Sequence, residues 1–114
     1  DYFKYAKRHD LSFDVIVIDP PSFARNKKRT FSVAKDYHRL VAQALEILNP
    51  QGIMILSTNA ANLSKSKFKQ EIEKGLAGRK HRYLAEYGLP ADFVYNKKDG
   101  SSNYLKVFTI KVDQ

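Results

Sequence analysis

Residues 14–28, DVIVIDPPSFARNKK, set a carboxylate, two imino acids, an aromatic ring and a run of cations in close succession. Asp19 ends an apolar run. Pro20 and Pro21 then restrict their φ angles and offer no N–H, so a strand cannot continue through them. What remains is a rigid arc of acceptors, made of the Asp19 carboxylate and the local carbonyls. Such an arc suits a donor-rich ligand, an exocyclic amino group or a sugar hydroxyl. Phe23 can stack on a flat ring, because every base has a π-face. Arg25, Lys27, Lys28 and Arg29 follow closely enough to hold the phosphates of a strand whose base enters the pocket. Together these residues read as a grip on a nucleobase drawn out of its stack. For an isolated Asp-Pro-Pro the plainer reading is better: Asp19 caps a turn, the prolines end a strand and Phe23 packs in a core. Context favours the pocket here, since the motif follows a buried strand, precedes a long basic loop and faces a second polar strand end.

That second end is Ser57-Thr58-Asn59, which closes the run GIMILST. Open α/β sheets bind ligands beyond the carboxyl ends of their strands, so the arrangement of strands decides whether the two polar ends meet. DVIVID is apolar without alternation, which predicts a central parallel strand buried on both faces. SFARNKKRTFS reads as a basic loop of about ten residues, a length that often carries function. Ser32 is a plausible N-cap. Apolar residues at Val33, Tyr37, Leu40, Val41, Ala44, Leu45 and Leu48 predict a helix over 33–48 with one buried face. Asn49-Pro50-Gln51-Gly52 ends it in a tight turn, and GIMILST follows as a second buried strand. The order is a βαβ unit.

Further along, Ser64 can cap a helix with Leu63 and Phe68 as a hydrophobic staple, Ile72 and Leu76 continuing its stripe. Gly75 and Gly78 mark its end. A third strand is expected around 83–87, a hairpin turn at Asp99-Gly100, and an alternating edge or antiparallel strand in YLKVFTIKV. In that last strand Lys106 and Lys111 interrupt the pattern. The sum is a mixed α/β sheet with helices packed on it.

The chain has 114 residues, 43% hydrophobic and 28% charged, with a formal charge of +8. This fits one domain or part of one and is not a disordered composition. The cations cluster at Arg25–Arg29 and again at Arg79, Lys80 and Arg82, which favours a polyanionic partner over plain solvation. Cysteine is absent, which excludes disulfides, thiolate zinc sites and a cysteine nucleophile from these residues. His9, His38 and His81 show no metal-ligand spacing. No apolar run approaches the ~20 residues of a membrane span, and the chain starts inside a helical pattern without a methionine.

The strings DVIVIDPPSFARNKK, LNPQGIMILSTNAANLSKSKF and SSNYLKVFTIKV resemble the C-terminal half of class I S-adenosylmethionine-dependent methyltransferases, specifically bacterial large-subunit (23S) rRNA methyltransferases. The resemblance implies a Rossmann-like fold whose strands four to seven lie here, the last inserted antiparallel, with 1–114 a partial catalytic domain. The glycine-rich cofactor half and any N-terminal PUA-type domain would lie outside these residues. It implies S-adenosylmethionine as cofactor, RNA as partner and a cytoplasmic protein. Asp19, Pro20 and Pro21 match the family's motif, with Asp19 and Pro20 between the methyl donor and the target base. Phe23, Asn26 and Lys27 match the string after it. Arg25 and Lys28 would join them on the substrate side.

Ser57, Thr58 and Asn59 fall where the cytosine-carbon-5 enzymes carry Ser-Cys-Ser. Thr58 replaces the attacking cysteine, and a hydroxyl is a poor substitute. The implication is direct attack by a base nitrogen on the methyl group. Two rival readings stand beside this one: an RNA-binding fragment without catalysis, and an amino-group methyltransferase acting on DNA or protein. An exposed strand edge could also pair with a second copy. Tyr37 and Tyr104 are expected to pack in the core, His38 to be solvated or to cap, and His9 and His81 to be exposed.

Overall fold

In the computed structural model, which describes residues 2–20, 23–25, 30–87 and 105–113, with backbone alone at 23–25 and 30–31, the run before Asp19 forms strand β1 (Phe13–Ile18). Helix α1 (Tyr2–Arg8) precedes it. A two-stranded ribbon follows, β2 (Phe23–Arg25) paired antiparallel with β3 (Thr30–Ser32), then α2 (Val33–Leu45), β4 (Leu48–Thr58), α3 (Lys65–Leu76), β5 (His81–Tyr87) and β6 (Lys106–Val112). The ribbon replaces part of the expected loop. Its short strands carry no alternation strong enough to announce them.

The main sheet has the order β1-β4-β6-β5. β1 and β4 are parallel, aligned from Val15↔Ile53 to Ile18↔Leu56, so both strands end at the same edge. α2 supplies the connection between them, as the βαβ pattern requires. β6 lies antiparallel between β4 and β5. The final strand is therefore antiparallel but interior, and β5 forms one sheet edge among the described residues. The hairpin turn expected at Asp99-Gly100 lies outside the described residues, as does Tyr104.

Alternation sorts the side chains. Ile18, Met54, Leu56, Phe108, Ile110 and Val112 join Val33, Tyr37, Val41, Ala44, Phe68, Ile72 and Leu76 of the helices in one core cluster. Aromatic rings run through it: Tyr37 meets Phe68 edge-on at 4.7 Å between centroids, and Phe68 lies 5.3 Å from Phe108. The opposite face of β1 is open. Val15 and Val17 are 53% and 65% exposed, which corrects the expectation of a strand buried on both faces. β1 is the other sheet edge among the described residues, and it borders an apolar depression shared with Tyr2, Phe3, Phe13 and Ile47.

α2 ends at Leu45, and Leu48 already pairs with Phe13 as the first residue of β4. Asn49–Gly52 forms an irregularity in that pairing rather than a turn ahead of the strand, with Gln51 at φ 67°. Ser32 occupies the N-cap of α2 without a side-chain cap. Its own N–H donates to Asp36 Oδ2 at 3.0 Å instead. At α3 the cap forms as expected: Ser64 Oγ accepts from Lys67 N–H at 3.2 Å, and the two staple residues Leu63 and Phe68 are fully buried in the core cluster. The helix stops at Leu76, with Ala77 and Gly78 in the left-handed region. Gly75 lies inside the helix, where it meets α2.

Candidate active site

Because β1 and β4 run parallel and in register, their carboxyl ends bring Asp19 beside Ser57. Ser57 Oγ donates to Asp19 Oδ1 at 2.8 Å, with the Ile18 carbonyl at 3.4 Å as a second neighbour. Asp19 is exposed, Ser57 buried. One carboxylate oxygen is thus committed to the scaffold, and the carboxylate faces solvent at the mouth of the strand ends. Pro20, half-buried, follows directly.

Tyr37 pins this junction from below. Its hydroxyl lies 2.8 Å from the Ser57 carbonyl and 3.2 Å from the Ile18 carbonyl. A phenol has a single proton, so the two carbonyls share it or the nearer one takes it. Burial drives the Tyr37 pKa far upward, with the Asp19 charge acting in the same direction, so the hydroxyl keeps its proton and remains a donor. The helical spacing correctly placed Tyr37 in the core. Its second role, holding two strand ends together, carries no sequence signal, since the acceptors come from main chain 19 and 20 residues away.

The remaining candidates separate into three groups. Thr58 is fully buried, and its hydroxyl accepts from the Ala60 N–H at 3.2 Å. It shapes the turn after β4 and does not face a ligand directly in this arrangement. Asn59 is exposed beside it. The backbones of Phe23 and Arg25 lie in β2, opposite Ser32 and Thr30. Pro21, Asn26, Lys27 and Lys28 lie outside the described residues. Lys106 was missed as a site residue. Its place on the core face of β6, in register with Thr58, brings a buried ammonium to the same strand end.

The other titratable groups are structural. His38 is half-buried rather than solvated, and Glu71 Oε1 lies 2.9 Å from its Nδ1 and accepts from its backbone N–H at 3.1 Å, tying α3 to α2. His9 is exposed, as expected. Lys65 and Lys69 pair with Glu86 at 3.3 and 3.6 Å. Among the described residues no group of His, Asp and Glu could hold a metal ion. No described helix is long and apolar enough to cross a membrane.

His81, expected to be exposed, is half-buried and has an acceptor at each ring nitrogen: the Arg79 carbonyl 2.6 Å from Nδ1 and Glu73 Oε2 2.8 Å from Nε2. Only the imidazolium donates to both. Burial disfavours that charge. The Arg79 carbonyl and the Glu73 carboxylate, with Asp113, outweigh burial and raise the His81 pKa above its ordinary value. Burial likewise raises that of Glu73, but the Tyr83 hydroxyl, His81 and Lys69 outweigh it and pull it below the usual carboxylate range. A raised histidine pKa gives stability that is full below the unfolded value, about 6.5, and is lost as pH rises through the folded value. The melting temperature is therefore expected to fall as pH rises above about 6.5, and His81→Gln to flatten that slope. A series of thermal melts across this range checks it. Equal slopes in the two proteins would refute the assignment.

No protein-family model matches the chain. Individual relatives do. A candidate large-subunit ribosomal RNA methyltransferase, YwbD of Bacillus subtilis, is 42% identical over 97% of this chain and 28% of its own length. Ribosomal RNA large subunit methyltransferase K/L of Aliivibrio fischeri is 35% identical over 85% of this chain and 14% of its own. A candidate methyltransferase solved in complex with SAH superposes with a TM-score of 0.84 at 63% identity, covering 98% of this chain and 29% of that one. The chain thus spans less than a third of the length of each relative. In sequence and in fold, it is homologous to a segment of the Rossmann-like S-adenosylmethionine-dependent methyltransferases, among them relatives named for the RNA of the large ribosomal subunit.

Proposed function

We propose that these residues form the substrate-side part of the catalytic domain of an S-adenosylmethionine-dependent methyltransferase that modifies a base of large-subunit rRNA. The observation that carries the proposal is the Asp19–Ser57 pair at adjoining parallel strand ends. On this reading 1–114 is the C-terminal part of the domain, and the glycine-rich cofactor half belongs to residues outside it. The open edge of β1 and the exposed Val15 and Val17 suit continuation of the sheet by such residues. We place that continuation there ahead of a second copy. The setting is the cytoplasm, without a membrane partner.

The residues present fit the cofactor. An exposed carboxylate whose geometry is fixed by Ser57 suits a cationic, donor-rich ligand, and Asp19 and Pro20 would lie against its reactive end. When bound, S-adenosylmethionine supplies an electrophilic methyl group. The protein's part is positional: Asp19 and the Pro20 carbonyl accept from an amino group of the base and orient its ring, Phe23 stacks or packs beside it, and Arg25, Asn26, Lys27 and Lys28 hold the backbone. Thr58, buried and bonded to Ala60, has no role as a nucleophile, and these residues contain no cysteine. With Thr58 at the position of the attacking cysteine in the carbon-5 enzymes, we take a nitrogen of the base as the acceptor, attacking with its own lone pair.

The test is transfer of tritium from labelled S-adenosylmethionine to rRNA by the natural polypeptide containing these residues, followed by mass spectrometry of the nucleosides. An N-methylated base is expected. Label in 5-methylcytosine would overturn the assignment of Thr58. RNA binding without transfer would favour the binding-module reading, and transfer to DNA or protein alone would favour the third.

A further inference from the structure

The alternation of β6 puts Lys106 on the face it shares with Phe108, Ile110 and Val112, and leaves the residue 7% exposed. Burying an ammonium is costly unless it does something a methionine could not. Its Nζ donates to the Ala60 carbonyl at 3.1 Å. The N–H of Ala60 donates to Thr58 Oγ1 at 3.2 Å, and Thr58 is the cross-strand partner of Lys106. One residue is therefore gripped on both sides by a register pair, its N–H by the threonine and its C=O by the lysine. The Leu63 N–H also reaches that carbonyl, at 3.4 Å, so simple satisfaction of the carbonyl did not require a lysine. The residue so gripped is Ala60, and Asn59, exposed and two positions after Ser57, lies in the turn between it and Thr58.

We infer that Lys106 is a positioning residue of the transfer site: its ammonium locks the Thr58-Asn59-Ala60 turn and so sets the Asn59 side chain beside the Asp19–Ser57 pair, toward the accepting base. This rests on the methyltransferase reading above. Desolvation lowers the Lys106 pKa, the ordinary consequence of burying its amine.

The test compares Lys106→Met, Lys106→Arg, Asn59→Ala and the double variant Lys106→Met/Asn59→Ala in the natural polypeptide. Lys106→Met is expected to lower kcat by roughly tenfold, the scale of a misplaced positioning group, with SAH affinity by calorimetry within about twofold of wild type. Lys106→Arg is expected to restore part of the loss. If Lys106 acts through Asn59, the double variant is no worse than the poorer single. Unchanged kcat in Lys106→Met, a parallel loss of SAH affinity and melting temperature, or additive losses in the cycle would each overturn the inference. Should Lys106→Met not fold, Asn59→Ala with undiminished kcat would do the same. Absence of transfer by the wild type brings down the methyltransferase reading itself, whereas an active wild type with an equally active Lys106→Met brings down this inference alone.

Discussion

Asp19→Ala, made in the natural polypeptide that contains these residues, is expected to slow methyl transfer to RNA by roughly 100-fold or more. The expectation follows from what the carboxylate does and does not support. Asp19 is exposed and contributes no apolar packing. Its removal leaves the Ser57 hydroxyl with the Ile18 carbonyl at 3.4 Å as an alternative acceptor, and leaves the Tyr37 bridge between the strand ends intact. The cost in stability should stay within about 1 kcal/mol, as for surface sites away from a core. The cost in rate is larger because the lost group is the oriented acceptor itself. Asp19→Asn keeps a carbonyl for Ser57 and for the base but removes the charge. Comparing the two variants in single-turnover assays separates orientation from electrostatics. If Asp19→Ala transferred methyl groups as fast as wild type, the central site assignment would fail.

Asp19 was legible in the sequence for a physical reason. A β-branched run that stops on two prolines can only be a strand end, and in a parallel sheet strand ends face ligands. Ser57 was legible by the same rule applied to the next strand. The pairing of the two, by contrast, depends on register, and periodicity alone does not give register. Tyr37 and Lys106 show the limit from opposite sides. The helical period assigned Tyr37 to the core correctly, yet its hydroxyl matters only because two distant main-chain carbonyls converge on it. Lys106 looked like a defect in an alternating strand, when it obeys the alternation and carries its charge inward. The outer face of β1 reveals a third limit. Val15 and Val17 announce that the strand needs cover on both sides, but not whether the residues at hand supply it. Where the chain was read by period and punctuation, the helices and the strands of the main sheet came out, though not the β2–β3 ribbon or the early start of β4 at Leu48. Where the outcome depended on which surfaces meet, they did not.

Gly75→Ala is expected to destabilise the fold by about 2–3 kcal/mol, although alanine is the better helix former by ~1 kcal/mol. Gly75 lies within α3 where it packs against α2. A β-carbon placed there would sit 2.6 Å from the His38 carbonyl oxygen and 2.6 Å from Val41 Cβ. Neither neighbour is the end of a flexible side chain: one is helix backbone and the other a branched carbon. Relief requires α2 and α3 to part, and the two helices share the core cluster that covers one face of the sheet. Parting them also stretches the His38–Glu71 link, whose N–H to carboxylate distance is 3.1 Å. Gly78 provides the contrast. It has open space around its α-carbon but φ of +81°, so Gly78→Ala costs only the left-handed penalty of about 1 kcal/mol. Denaturant midpoints should therefore order as wild type, Gly78→Ala, Gly75→Ala from most to least stable. The reverse order of the two variants would mean that α2 can yield at Gly75, and the helix pair would then be a loosely packed layer beneath the strand ends rather than the support that holds Tyr37 against them.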